Sequence, residues 1–136
     1  MTILKWILLA VLALPAAADA QLRATDLENP DPVSVPEGLE ASAVHDAIES
    51  ALYRRDWTIH SEDAEQGIII ADLHIRDHWA QIEIVYGSDE VVIEYRDSDN
   101  LHYDQRDDGE IIHRNYLGWV DNLVTDIRQE MSRAAP

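Results

Sequence analysis

Large or small apolar residues recur at every second position over three neighbouring segments of this chain, and that alternation limits the fold more than any other feature. It runs through 68–76, 79–86 and 90–96. A period of two places every second side chain on the same face of a β-strand. Only short turns separate the segments, so the strands must run antiparallel. The pattern therefore predicts a strand meander with one covered face and one face in water, called the outer face below.

Segments with helical periodicity lie on both sides of this meander. The spacing predicts helices over 40–55 and 110–132, and a short additional strand over 57–60. Ser42 is the expected N-cap of the first helix, and Gly118 is expected to permit close packing of the second. Two amphipathic helices cover a half-buried sheet most simply when both lie on its apolar face. The predicted fold class is therefore α+β, in the order α-β-β-β-β-α, with an antiparallel four-stranded meander.

The first 20 residues have the three parts of a cleavable signal peptide. Lys5 supplies positive charge, residues 6–14 are apolar, and Ala18-Asp19-Ala20 places small residues at the cleavage site. Cleavage is expected between Ala20 and Gln21, with cleavage after Ala18 as the alternative. A transmembrane helix needs about 20 apolar residues, and this run is half as long. Export to the periplasm or the medium is therefore predicted, with no transmembrane segment after cleavage.

Signal cleavage is tested by the intact mass of protein recovered from the periplasmic fraction. The expected mass is that of a chain beginning at Gln21. A mass that still includes residues 1–20 would contradict the predicted cleavage.

The next segment, 21–38, contains several prolines and few large apolar residues, so it is predicted to be a flexible linker. Residues 39–133 are then expected to form one α+β domain.

The composition excludes several classes of function. With 27 Asp and Glu against 10 Lys and Arg, the net charge is −17, which disfavours nucleic-acid binding. That acidity reflects either genomic composition or adaptation to salty surroundings, where salt screens self-repulsion. The chain has no cysteine, so it forms no disulfide, thiolate metal site or lipid anchor. No nucleophile elbow or phosphate-binding glycine loop occurs. We therefore expect a protein that is not an enzyme and needs no cofactor.

Two sets of polar side chains are candidates for binding. The first lies on the predicted outer face of the sheet and includes Asp72, His74, Arg76, Trp79, Glu83 and Glu94, with Gln81 and Arg96 beside them. Trp79 is expected to form a small apolar patch with Val85 and Val92. The surface is interpreted either as a binding face or as an ordinary solvated sheet with weak cross-strand ion pairs.

The second set lies where the polar segment 97–109 meets the predicted start of the last helix. It comprises Ser98, Asn100, Tyr103, His113, Asn115 and Tyr116. Side-chain amides and hydroxyls here either tie the segment to the helix or line a small cleft. A metal site without cysteine would need His and carboxylates, and His74, His78 and Glu83 are the nearest such group. No His-Glu-x-x-His motif occurs, so no metal ligand is assigned.

Short runs between residues 44 and 127 occur in a recognisable order. They are Ala47-Ile48 with Ala51-Leu52, Arg55-Asp56-Trp57, Gly67 to Ala71, Arg76 with His78, Ile84 to Tyr86, Ile93 to Tyr95, Ser98 with Asn100-Leu101, Ile112-His113, Asn115-Tyr116, Trp119-Val120 and Asn122-Leu123. The chain resembles a family of small exported bacterial proteins of unassigned function, many of them described as lipoproteins. The resemblance implies the same export and fold, but a chain released without a lipid anchor, because the cysteine is missing.

The sequence thus predicts a small exported, non-enzymatic module that binds an unknown envelope protein or component. The surface expected to carry this binding comprises the outer face of the sheet and the Ser98–Tyr116 region. The alternative is a periplasmic protein that binds a small ligand or metal ion.

Overall fold

Two antiparallel sheets and two helices make up residues 23–136, the part of the chain that the computed structural model describes. The strands are β1 (Ala24–Asp26), β2 (Val33–Ser34), β3 (Thr58–Asp63), β4 (Ile68–Ile75), β5 (His78–Tyr86), β6 (Glu90–Asp99), β7 (Asp104–Arg106) and β8 (Gly109–His113). The helices are α1 (Ala41–Arg54) and α2 (Arg114–Ala134). The α+β class is confirmed. The predicted signal peptide and its cleavage site lie outside the described residues.

The predicted meander forms the centre of the larger sheet, whose strand order is β2-β6-β5-β4-β3. Alternate side chains of the three central strands are buried on its inner face, as the alternation predicts. The buried set includes Ile69, Ala71, Leu73, Ala80, Ile82, Ile84, Val91 and Ile93. The predicted four strands are thus found, with β2 added at one edge.

Both helices contribute their apolar stripes to one core with the inner face of the sheet. Val44, Ile48 and Leu52 of α1 are buried, and so are Leu123 and Ile127 of α2. Because these stripes were expected from the helical periodicity, the core is largely the predicted one. Gly118, by contrast, has no atom within 4 Å of where a Cβ would stand, so it does not permit a close approach.

An ion pair between the helices closes the edge of this core. Arg55 Nε donates to Asp126 Oδ2 at 2.7 Å, and its terminal nitrogen donates to Oδ1 at 3.3 Å. The carboxylate of Asp126 is almost fully buried, whereas Arg55 remains partly in water. The hydrogen bond from Arg55 lowers the pKa of Asp126, so the carboxylate stays ionised despite its burial. The ion pair thus joins the end of α1 to α2.

The first helix begins earlier than its predicted N-cap. Glu40 is the N-cap residue and makes no side-chain capping bond, and Ser42 lies inside the first turn. Leu39 and Val44 occupy the two positions of a hydrophobic staple, and both are buried. Burial of these apolar side chains sets the start of the helix, so the prediction of Ser42 as the cap is wrong.

The second helix begins later than predicted. Residues 109–113 form β8, which pairs with β1 on one side and β7 on the other. Ile112 pairs with Thr25 from the N-terminal part of the chain and is fully buried. Since β1 supplies hydrogen-bond partners from a distant part of the sequence, these residues are extended and not helical. The helix therefore starts at Arg114, with His113 as its N-cap.

The segment predicted to be a flexible linker belongs to the fold from Ala24 onward. Its strand β1 pairs with β8 in the smaller sheet, and β2 pairs with β6 in the larger one. Between them, the side chain of Asn29 accepts a hydrogen bond of 2.9 Å from the amide of Tyr95. Val33 is 1% exposed and joins the core. The segment therefore connects the two sheets.

The polar segment 97–109 is also more ordered than a loop. It continues β6 to Asp99, contributes β7, and carries the buried side chain of Leu101 between them. The amide of His113 donates to the carbonyl oxygen of Leu101 at 2.7 Å. This bond joins the segment to the start of α2. Neither helix within residues 23–136 is both long and apolar enough to cross a membrane.

Candidate functional site

The outer face of the larger sheet is covered by neither helix, and its side chains stand in rows across β4, β5 and β6. The register aligns Ile68 with Val85 and Val92, and then Ile70 with Glu83 and Glu94. The next two rows are Asp72 with Gln81 and Asp97, and His74 with Trp79 and Asp99. The face therefore carries one apolar row and three rows that include carboxylates.

Two arginines expected on this face do not stand in its rows. Arg76 lies in the turn between β4 and β5 and has a φ of 56°, so it is not part of the strand. Arg96 falls at a bulge, where the register passes from Tyr95 opposite Ile82 to Asp97 opposite Gln81. The extra residue of a bulge shifts the alternation by one. Asp97 and Asp99 thus take the positions that the simple alternation would have given to Arg96 and Ser98.

Glu83 and Glu94 are direct cross-strand partners at the centre of the face. Like charges in directly opposite positions destabilise a sheet. Within residues 23–136, neither carboxylate has a basic group within 4.0 Å. This pair, with Glu94 exposed and Glu83 half-buried, is thus a negative charge that the described part of the chain leaves uncompensated.

The apolar row lies next to this pair. Val85 is 42% exposed, which is unusual for a large apolar residue of this domain, and Ile68 and Val92 flank it. Trp79 stands at the other end of β5, six residues from Val85, or about 20 Å along the strand. The predicted patch of Trp79 with the two valines is therefore wrong. Trp79 instead contacts the ring of His74, with centroids 6.5 Å apart.

Among the carboxylates in these rows of β4, β5 and β6, Asp72 has the most partners. Gln81 Nε2 donates to Asp72 Oδ1 at 2.8 Å, and His60 Nδ1 lies 3.1 Å from Asp72 Oδ2. Gln81 is only 8% exposed, so this hydrogen bond satisfies a polar group that has lost most of its water. These contacts give Asp72 a role inside the sheet, in contrast to the unpaired glutamates.

The second predicted set is brought together around aromatic rings. Tyr103 stacks on Tyr95 with centroids 4.7 Å apart, and Tyr116 meets the edge of Tyr95 at 5.6 Å. The tyrosine hydroxyls of this group are hydrogen-bonded. Tyr95 Oη lies 2.7 Å from Ser98 Oγ, and Tyr103 Oη donates to Glu110 Oε2 at 2.6 Å. Burial raises the pKa of Tyr116. These contacts tie the 97–109 segment to α2 and β8.

The remaining members of that set adjoin a group of histidines. The amide of Asn115 donates to His113 Nδ1 at 3.1 Å, which caps α2. The ring of His113 lies 6.0 Å from that of His78 and 5.7 Å from that of His102. His78 Nδ1 donates to the carbonyl oxygen of Asn100 at 2.6 Å. Three histidines that are far apart in sequence thus meet at the start of α2, which the sequence reasoning missed.

A second histidine centre was also missed, in a cleft of about 300 Å³ between α1, β3 and β5. His45 lies 3.2 Å from Asp46 and 3.4 Å from Glu62, and its ring centroid is 5.8 Å from that of Tyr86. Burial lowers the pKa of His45, but hydrogen bonds to Asp46 and Glu62 outweigh it, so the net effect is a raised pKa. The two carboxylates thus stabilise the protonated form of His45.

The three residues considered for a metal site, His74, His78 and Glu83, do not form one group. His74 stands on the outer face, while His78 turns its ring to His113 and Trp119. Glu83 pairs with Ile70, four residues along β4 from His74. In residues 23–136, no group of three or more His, Asp or Glu side chains is placed to hold a metal ion.

Comparison with known proteins finds no relative of this chain. No family model, no curated protein and no solved structure matches the chain.

Proposed function

We propose that this domain is a non-enzymatic interaction module that binds a basic segment of a cell-envelope protein on the outer face of its larger sheet. The observation that carries the proposal is the uncompensated pair of Glu83 and Glu94 beside the exposed row of Val85. Lysine or arginine from a partner would supply the missing counter-charge, and apolar side chains of the same segment would cover the valine row. Charge complementarity thus defines the partner chemistry.

The location of this surface supports a docking function. The inner face belongs to the core, and both helices leave the outer face open. On that face Ile70 and Gln81 are buried, whereas Val85 and Glu94 are exposed. Burial of one apolar row contributes affinity, while carboxylates around it select against acidic or neutral partners. Both features stand on regular strands, which hold them at fixed spacing.

Photo-crosslinking in living cells tests this proposal. A photoreactive residue in place of Val85 is expected to give an adduct with an envelope protein, through a segment rich in lysine or arginine. The change Glu83→Gln with Glu94→Gln should weaken binding of the purified partner about tenfold, which corresponds to about 1.4 kcal/mol. A photoreactive residue at Tyr53, which is 85% exposed on α1, is the positional control.

The charge control is Asp107→Asn with Asp108→Asn, which removes the same two charges from an exposed turn. Binding of the partner to this variant should match the wild type within twofold. Equal adducts from positions 85 and 53, or equal loss of affinity in both charge variants, would show that the outer face is not the docking surface.

A further inference from the structure

We propose that His78, His102 and His113 form an acid-sensitive latch, in which neutral His113 caps the first turn of α2 near neutral pH and loses that cap as the pH falls. The latch is independent of the docking proposed for the outer face, because it lies at the junction of the two sheets with α2.

The state of His113 follows from its hydrogen bond. Because its Nδ1 accepts the amide proton of Asn115, the imidazole is neutral and carries its own proton on Nε2. Protonation would place a hydrogen on Nδ1, where it would face the N–H of Asn115. The helix would then lose its side-chain cap and gain a positive charge at its positive end. The histidine is 7% exposed, so solvent offers little compensation.

The groups around His113 also disfavour its protonation. Burial lowers its pKa most, and the positive charges of His102, His78, Arg23 and Arg114 lower it further. No Asp or Glu within residues 23–136 lies within 4.0 Å of His113 to offset them. The nearest acid to the group is Asp77, 3.7 Å from His78 Nε2. A cluster with this composition becomes self-repelling once its members are protonated.

A segment with unusual backbone conformation, residues 100–103, lies beside the latch. Asn100 and His102 both have positive φ angles, 57° and 56°, which cost conformational energy in residues other than glycine. Leu101 between them is buried, and its carbonyl oxygen accepts from His113. His78 holds the carbonyl oxygen of Asn100. The ring of His78 and the backbone amide of His113 thus bond to this segment, and His102 belongs to it.

The direction of the pH effect follows from linkage. The folded chain binds a proton at His113 less tightly than the unfolded chain does, whose histidine pKa is 6.5. Stability conferred by the neutral cap is therefore complete above pH 6.5 and is lost as the pH falls below it, down to the lowered pKa of the folded state.

Amide hydrogen exchange of the purified protein tests the latch. The protection factor of the Asn115 amide is expected to fall about tenfold between about pH 7.5 and about pH 5. The change His113→Asn keeps a capping oxygen but cannot titrate, so protection should stay equal at both pH values. Unchanged protection in the wild type, or an equal fall in the variant, would overturn the proposal.

Titration of the wild-type histidine rings by NMR keeps the test decisive if His113→Asn fails to fold. His113 should titrate below 6.5, and His102→Gln should raise its midpoint because one positive neighbour is gone. His45→Gln is the matched control and should leave the midpoint of His113 unchanged. A midpoint of His113 at or above 6.5, or one that His102→Gln does not move, would overturn the latch.

Discussion

Replacing Gly67 with alanine is expected to lower the free energy of unfolding by about 3 kcal/mol. Gly67 lies between β3 and β4 with a φ of 69°, a region that other residues enter at a cost. A Cβ at this position would stand 2.3 Å from the carbonyl oxygen of Tyr86. The amide of Tyr86 also donates to the carbonyl oxygen of Gly67 at 2.9 Å, so relief of the clash would stretch that bond.

The same substitution at Gly118 is the matched control, and it should act in the opposite direction. Gly118 lies within α2, and no atom is near enough to meet an added Cβ. Alanine there should raise the free energy of unfolding by about 1 kcal/mol through its helix propensity. Urea denaturation of the two variants and the wild type measures both effects. A Gly67→Ala variant as stable as the wild type would show that the turn adjusts freely.

Replacing Leu101 with alanine should cost about 2–5 kcal/mol, although this residue lies in a segment that appears polar in the sequence. Leu101 is 1% exposed and belongs to the main core. Its truncation would leave a cavity in the core and loosen the carbonyl that accepts from His113. The segment 97–109 is therefore expected to lose its ordered contacts in this variant.

Thermal and urea unfolding measure that cost, and Leu117→Ala supplies the control. Leu117 is the same residue type on α2 but packs against the edge of the core and is only partly buried. Its truncation should therefore cost clearly less than that of Leu101. Equal losses at the two positions would mean that Leu101 contributes no more than a surface leucine.

The central strands and both helices could be predicted because each carries its own periodic signal. Ile69, Ala71 and Leu73 alternate over a length that shows a period of two. The strands β1 and β2 have only three and two residues, so neither is long enough to display a period. Their positions are set by pairing with β8 and β6, which is tertiary information.

The error at the start of α2 has a specific cause. Ile112 precedes Tyr116 by four residues, so it falls on the same helical stripe as the true helix. The sequence pattern therefore extends backward without a break, and only the hydrogen bonds from β1 show that Ile112 is extended. Similarly, the bulge at Arg96 leaves no trace in the alternation but changes which acids stand on the outer face.

The candidate sites were predictable to different degrees for the same reason. Glu83 and Glu94 could be assigned to one face because they belong to regular strands. The three histidines of the latch come from β5, from the segment before β7 and from the end of β8. No spacing within the sequence relates His78 to His102 or His113, so their meeting depends on how the two sheets join.

The free edges of the larger sheet have a consequence for the behaviour of the protein in crowded solution. β2 offers only two residues and follows Pro30 and Pro32, and β3 is interrupted by a bulge near His60 and ends in Glu62 and Asp63. Short, proline-flanked, kinked or charged edges are poor templates for strand addition by another molecule. Strand addition by a second copy of the domain is therefore expected to be weak at β2 and at β3.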